Sequence, residues 1–372
     1  MKKSDSTLRE LVRFEFYKLL QQRFLWLLLL VILIAGLYFS VQRMGWPWAD
    51  RVNTGFEGEL TSEMIARAEA GSEAYFKKSN PTIVEKKQNA SYHNVLEAAS
   101  AYDKQSKDVS LLRQEGEEAS TVYEKRQLSL QADLTEAIDY RPVGNYQTFD
   151  QLLTFSGTGG YALLAVVLIL GTAVSFSSEY QTGVAAYLYS SRHGRKQLLT
   201  AKLMVSVALV TGTILIYNLV QLLCFFRGHS GWNIPIQAAY GQSPYPLTFA
   251  ELYGISILYQ WVIAVSLVIV LLFLSMLIKQ TVVAVFLGGL IVGGPFLIET
   301  ILFNTNTPAF MWTLVKFTQG QALSVYVLFR EYVTVNVFGY PVLLPIAVLV
   351  VTLITTLILI KLMYRVIGRR MA

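Results

Sequence analysis

The chain has 372 residues, 53% of them hydrophobic and only 15% charged, with a formal net charge of +6. Its mean hydropathy is +0.44, and a soluble domain of this length carries far more charge, so an ordinary water-soluble fold is excluded. The single cysteine, Cys224, rules out an intrachain disulfide and a cysteine metal cluster, and reads as a small apolar packing residue.

Residues 1–23 place Leu8, Leu11, Val12, Phe16, Leu19 and Leu20 at helical spacing, with Arg9, Arg13, Lys18 and Arg23 between them. This pattern predicts an amphipathic helix in the membrane interface, its cations at lipid phosphates. A plain cytoplasmic extension of the first span is the other reading. Residues 24–41 are the first of six apolar runs near the length of about 20 residues that crosses a bilayer. No small-x-small cleavage site follows Phe39 to Arg43, so a retained anchor is expected rather than a signal peptide.

Residues 42–156 form the only large hydrophilic block. It opens on Trp46-Pro47-Trp48, rings suited to the headgroup level. Leu60, Met64 and Ala68 recur every four residues. Tyr92, Val95, Leu96, Ala99 and Tyr102 follow a three–four rhythm, and Val122, Leu130, Leu134 and Ile138 suggest a further helix. Asn80-Pro81 breaks the first helix from the second. Thin apolar stripes and dense charge predict a slender hairpin or small bundle, with partial disorder as the alternative.

The remaining apolar runs are 161–176, extending back through Gly159-Gly160, then 203–226, 255–278, 281–302 and 342–363. Residues 227–254 read as an irregular cap. Residues 303–341 hold apolar pieces too short to span, predicted to dip into the outer leaflet and return. The expected fold is an all-α membrane protein of six transmembrane helices. An extracytoplasmic helical domain follows helix one, helices two to six occupy 157–363, and 364–372 is a cytoplasmic tail.

Cations set the orientation. Lys2, Lys3, Arg9, Arg13, Lys18 and Arg23 precede the first run, and Lys361, Arg365, Arg369 and Arg370 end the last. Arg192, Arg195, Lys196 and Lys202 follow the second, and Lys279 the fourth; the opposite loops offer Arg227, Lys316 and Arg330. Both termini are therefore expected in the cytoplasm of a multi-pass cell-membrane protein, with a bacterial plasma membrane the expected setting. Lipid accounts for the positive charge, and nucleic acid is not an expected partner.

No catalytic constellation is present. His93, His193 and His229 sit in unrelated segments, and the sequence has no G-x-S-x-G elbow and no G-x-x-x-x-G-K-S/T phosphate loop. Neither a catalytic residue nor a metal site is assigned, and the chain is not expected to be an enzyme by itself. Glu299, the one acidic residue in the runs, reads as a carboxylate at the outer headgroups or a polar contact at the exit of a pathway. Asn218, Gln221 and Gln260 read as interhelical hydrogen-bonders. Gly289-x-x-x-Gly293 permits close helix approach, and Gly294-Pro295 predicts a kink or break.

The most distinctive segment runs from Phe176 to Lys202. It carries Glu179 at one end, Tyr180, Gly183, Tyr187 and Tyr189 in its middle, and Arg192, Arg195 and Lys196 at the other end. It resembles the cytoplasmic loop of ABC-2 type permeases, the membrane subunits of ATP-driven exporters. In that family the second span runs into Glu-x-x-x-Gly, then a short helix, a basic turn and a Lys opening span three. Glu179, Gly183, Arg192, Arg195 and Lys202 match, although Ser190 to His193 stand where the family often has a proline. The amphipathic segment 1–23, the Lys279-Gln280 turn and the half-inserted segment 303–341 match as well.

The resemblance implies two separate ATPase subunits, which hold ATP and magnesium, no cofactor being expected in this chain. They would dock on the coupling loop 177–202 through Glu179, Tyr180, Gly183, Tyr187, Arg192, Arg195 and Lys196. It also implies a second permease copy or paralogue. A pathway along that interface would place Gly171, Thr172 and Ser175 opposite the Gly288–Pro295 region with Gly289, Gly293 and Pro295, and Glu299 at its exit. The expected activity is outward movement of a hydrophobic or amphiphilic substrate, such as a peptide, lipid or drug-like molecule. Two other readings stand beside it: a transducer that uses ATP work to move its outer domain, and a sensor or scaffold that transports nothing.

Overall fold

The computed structural model describes residues 2–44, 56–184, 192–225, 231–302 and 307–369. It is built largely of helices, six of them long and apolar enough to cross a membrane, which is the build of a multi-pass membrane protein. Trp46, Pro47 and Trp48 lie outside the described residues.

Helix α1 (Lys2–Leu20) stops short of α2 (Arg23–Met44). The Trp26 indole N–H donates to the Leu20 carbonyl at 3.1 Å, satisfying one of the acceptors that a helix end leaves open. The amphipathic segment is thus a separate helix and not an extension of the first span.

The hydrophilic block folds as α3 (Ser62–Phe76), α4 (Ile83–Glu118) and α5 (Val122–Glu136). The sequence marks their starts. Thr61, Thr82 and Thr121 are N-caps, and Glu85 and Glu124 complete capping boxes on α4 and α5. Helices α4 and α5 form an antiparallel hairpin, closed where Gln105 Nε2 donates to the Thr135 and Ile138 carbonyls, both at 2.8 Å. Phe56, Met64, Ala68, Val95 and Val143 make a small core, tied off by antiparallel strands β1 (Gly58–Glu59) and β2 (Pro142–Val143). Ile138, read as helical, falls just past the end of α5.

Helix α6 (Gln147–Phe155) passes through a π-helical turn at Ser156–Gly160 into α7 (Tyr161–Thr172), and α8 (Ser177–Gln181) follows after a four-residue break. The other long helices are α9 (Arg192–Phe225), α10 (Phe249–Leu277) and α11 (Thr281–Leu302). Helix α9 begins well before the apolar run at 203, so Arg195, Lys196 and Lys202 ride on the same rod as the span. Helix α11 continues through Pro295 without the break that is one of the two outcomes expected there.

Short helices α12 (Ala309–Lys316), α13 (Gln319–Ala322) and α14 (Val325–Phe329) come next. Helix α13 is wedged between α10 and α11. Gln319 Nε2 donates to Ser266 Oγ at 2.7 Å, and Gln321 Nε2 donates to Glu299. Gly320 lies so close to α11 that a Cβ there would come within 2.2 Å of the Val292 carbonyl oxygen. Strands β3 (Thr334–Val337) and β4 (Tyr340–Leu343) then form a hairpin that the sequence reading missed. It leads directly into α15 (Leu344–Arg369), so Val342 belongs to β4 and not to the last span.

Helices α7 and α10 are the inner staves, with more than half of each buried, while α2, α11 and α15 bury less than a quarter of theirs. Leu164, Leu168, Ile263, Leu267 and Leu271 are at the centre of the core. The staves sort the connections to two ends. At one end gather α1, α8, the start of α9 and the tail of α15, where Thr200 Oγ1 and the Tyr364 hydroxyl meet at 2.8 Å. At the other end Phe149 packs edge-on against Trp232, and Tyr146 stacks on Phe249.

Candidate functional site

The distinctive segment starts at the end of α7. Backbone hydrogen bonding is interrupted between α7 and α8, which leaves the Phe176 and Ser177 N–H groups without helical partners. Ser275 Oγ on α10 accepts both, at 3.0 and 3.1 Å. Both residues are wholly buried, so this one hydroxyl meets a demand that water cannot. The break turns α8 so that Glu179 points inward. Gln181 Oε1 accepts from the Thr281 hydroxyl at 2.9 Å, tying α8 to the first residue of α11.

Glu179 is only 3% exposed and Lys202, on α9, only 1%. The Lys202 ammonium donates to Glu179 Oε1 at 2.7 Å, to Glu15 Oε2 on α1 at 3.2 Å, and to the Ser175 carbonyl and hydroxyl at 3.1 and 3.2 Å. It also lies 4.9 Å from the Phe176 ring centre, on the ring's face. Lys18 of α1 donates to the same Glu179 oxygen at 2.9 Å. Two carboxylates and two ammonium groups therefore form one neutral cluster, and Glu179 Oε1 bridges both cations. Glu179 Oε2 is buried without a hydrogen-bond partner among the described residues, and a cavity of about 30 Å³ opens beside Lys18, Gln22 and Lys202. That volume suits a single water molecule.

The cluster lacks a reactive pair of nucleophile and base. Three elements distant in sequence, α1, α8 and α9, are joined by charge-assisted hydrogen bonds, those of Lys202 buried and that of Lys18 partly open to solvent.

The other predicted residues divide into three groups. Gly171, Thr172 and Ser175 pack within the chain. A Cβ on Gly171 would meet Leu209 at 2.8 Å and Leu25 at 3.4 Å, the Thr172 hydroxyl donates to the Leu168 carbonyl at 2.6 Å, and Ser175 serves Lys202. Helix α7 meets α11 through another face, where Gly288 lies against Ile169. On α11, Gly289 and Gly293 face open space, Pro295 is buried and Glu299 is held by Gln321. In the loop, Tyr180 packs against the core, Gly183 is exposed at φ +73° and ends α8, Arg195 is half-buried and Lys196 exposed. Tyr187 and Tyr189 lie outside the described residues, as does the side chain of Arg192.

The sequence reading missed Glu15, Lys18, Gln181, Ser275 and Thr281 as members of this junction. Glu15 carries a signal. It sits four residues after Leu11 and four before Leu19, an acid in the middle of the apolar stripe of α1, and a carboxylate there needs a buried cation. Searches against protein-family models, curated proteins and solved structures found no match to the chain.

Proposed function

We propose that the chain is the membrane subunit of an ATP-driven exporter of the ABC-2 type. It moves a hydrophobic or amphiphilic substrate outward, while a separate subunit hydrolyses ATP. The observation that carries this reading is the Lys202 cluster. Force applied at α8 passes into α9 through Lys202, and into α1 through Glu15 and Lys18. Glu179 then works from inside as a strut. The exposed Gly183 and Lys196 and the half-buried Arg195 offer the docking face. The helical block 56–144 lies outside the cell in this proposal, and both termini lie inside.

The test is ATP hydrolysis by the complex affinity-purified from its native membrane. The wild-type complex should hydrolyse ATP. Arg195→Glu combined with Lys196→Glu should abolish that activity while the chain still reaches the membrane. No hydrolysis in the wild type, or full hydrolysis in the double variant, refutes the proposal. Orientation is checked separately in intact cells. A membrane-impermeant maleimide should label Leu111→Cys but not Lys196→Cys.

A further inference from the structure

The hydrophilic block is gripped by the hairpin that starts the last long helix. Strands β3 and β4 pair Thr334 with Leu343 and Val337 with Tyr340, leaving a two-residue loop, Phe338-Gly339. Both loop residues have positive φ, +51° and +84°, the combination that a tight hairpin turn matching strand twist requires. Phe338 is the only non-glycine with positive φ among the described residues, and it is 99% exposed. A bulky side chain in that region is strained, and an exposed ring contributes no packing that holds it there. The turn must be held by its neighbours.

Within the hairpin the Asn336 Oδ1 accepts from the Gly339 N–H at 2.8 Å, and the remaining neighbours lie on one face of α5. Tyr123, Arg126 and Gln127 are spaced i, i+3 and i+4, the spacing that puts side chains along a single stripe. Arg126 Nη1 donates to the Gly339 carbonyl at 2.9 Å, and its guanidinium lies 4.0 Å from the centre of the Tyr340 ring. At the base of the hairpin the Tyr123 hydroxyl meets Thr334 Oγ1 at 2.7 Å, and the Tyr332 hydroxyl donates to the Gln127 carbonyl at 2.6 Å. Contacts therefore run the length of the hairpin, between residues more than two hundred positions apart in the chain.

The hairpin is in turn continuous with α15. Leu343 ends β4 and Leu344 begins the helix, and the Leu344 N–H donates to the Val333 carbonyl at 3.0 Å. That N–H is one of the four a helix start leaves unpaired, and here the hairpin takes it. Less than a quarter of the apolar stretch of α15 is buried in the bundle. At this end the Tyr259 hydroxyl secures it, donating to the Pro345 carbonyl at 3.0 Å. The block is itself stiffened by the Gln105 bonds between α4 and α5.

We propose that the helical block 56–144 is a lever on α15. A displacement of the block passes through Tyr123, Arg126 and Tyr332 to the hairpin, and from there to the first turn of the last helix. The inference concerns these contacts alone and does not need an ATPase.

The test is a distance measurement between spin labels at Leu111→Cys on α4 and Ile346→Cys on α15, both exposed positions, in a Cys224→Ala background. The otherwise native chain should give one narrow distance distribution. Tyr123→Phe with Arg126→Ala should broaden it, and Arg126→Lys, which keeps a cation over Tyr340, should leave it narrow. Amide exchange of Val335 to Leu344 should rise about tenfold or more in the broadened variant, in line with losing one charged hydrogen bond. Tyr332→Phe with Tyr340→Ala repeats the test from the hairpin side and leaves the block's own sequence intact. A narrow, unshifted distribution in either double variant overturns the lever.

Discussion

Lys202→Met removes the cation at the centre of the buried cluster and keeps the length of the side chain. Glu179 retains Lys18 at 2.9 Å. Glu15, at 6% exposure, loses the only ionic partner it has among the described residues. Removing one member of a buried pair costs about 3–5 kcal/mol, because a charge is left desolvated and uncompensated. At roughly 2 °C per kcal/mol for a chain this long, the unfolding midpoint in detergent should fall by about 6–10 °C. The decisive variant is Lys202→Met with Glu15→Gln, which removes the stranded charge as well. Replacing a buried pair by uncharged groups is often nearly neutral, so the double variant should recover most of the loss, to within about 1–2 kcal/mol of wild type. Scanning fluorimetry of the four proteins in the cycle provides the measurement. If Lys202→Met shifts the midpoint by less than about 2 °C, or if the double variant is as unstable as the single, the cluster does not join α1 to α9 as argued.

Three further outcomes are expected. Ser275→Ala strands the buried Phe176 and Ser177 N–H groups and should cost about 1–3 kcal/mol by the same assay, whereas Ser275→Thr, which keeps the hydroxyl, should cost less. Gly320→Ala drives a methyl into the Val292 carbonyl and should lower stability by about 1–3 kcal/mol or more, while Gly289→Ala, which meets nothing within 4 Å, should stay within about 0.5 kcal/mol; a loss of self-association in Gly289→Ala without loss of stability would place a second copy on that face. The Glu85 carboxyl is held down to about 2, from an ordinary 4.5, by the Lys78 hydrogen bond first and then by Thr82. A depressed carboxyl stabilises above its unfolded value, so this contribution to the start of α4 is complete above pH 4.5 and lost as pH falls towards 2. Lys78→Met should raise the titration midpoint of a carboxyl-labelled Glu85, followed by NMR, and an unmoved midpoint refutes the assignment.

The sequence carries the long helices because their signals are local. Twenty consecutive apolar residues need no tertiary context, and neither do Thr82 with Glu85 or Thr121 with Glu124, whose three-residue spacing is the capping box itself. The block's three helices are legible for the same reason. The junction is only half legible. Glu179 and Lys202 stand out as charges at the edges of apolar runs, yet composition cannot say whether such charges face solvent or each other. Their partner Glu15 lies 187 positions from Lys202, and only the fold brings α1 against α9. The hairpin at 334–343 is missed because Val342 continues the apolar run into α15 without a polar gap. The Phe338-Gly339 turn also lacks the Asn-Gly or Asp-Gly signal that flags a tight hairpin. The continuity of α11 through Pro295 is a different failure. The local rule predicts a break where the backbone loses one hydrogen bond, and spanning helices tolerate a proline where neighbouring groups re-satisfy the freed carbonyl.

The two ends of the molecule are braced by different physics, and the difference decides what can move. At the Lys202 end, α1, α8 and α9 are held by buried charge. Separating Glu15 from Lys202 leaves a carboxylate in a site that water barely enters, so the energy rises steeply and the three elements move together or not at all. Among the described residues, helices α10 and α11 meet that group through neutral bonds, Ser275 to the α8 turn, Thr281 to Gln181, and Trp261 and Tyr253 of α10 to Thr211 and Asn218 of α9, each worth about 1 kcal/mol, and through apolar packing. At the opposite end Arg126 holds the hairpin through one hydrogen bond and one aromatic face, both of which lie near the surface. The block reaches α15 through that grip, and α15 is itself held by Tyr259 near its start and by Thr200 near its end.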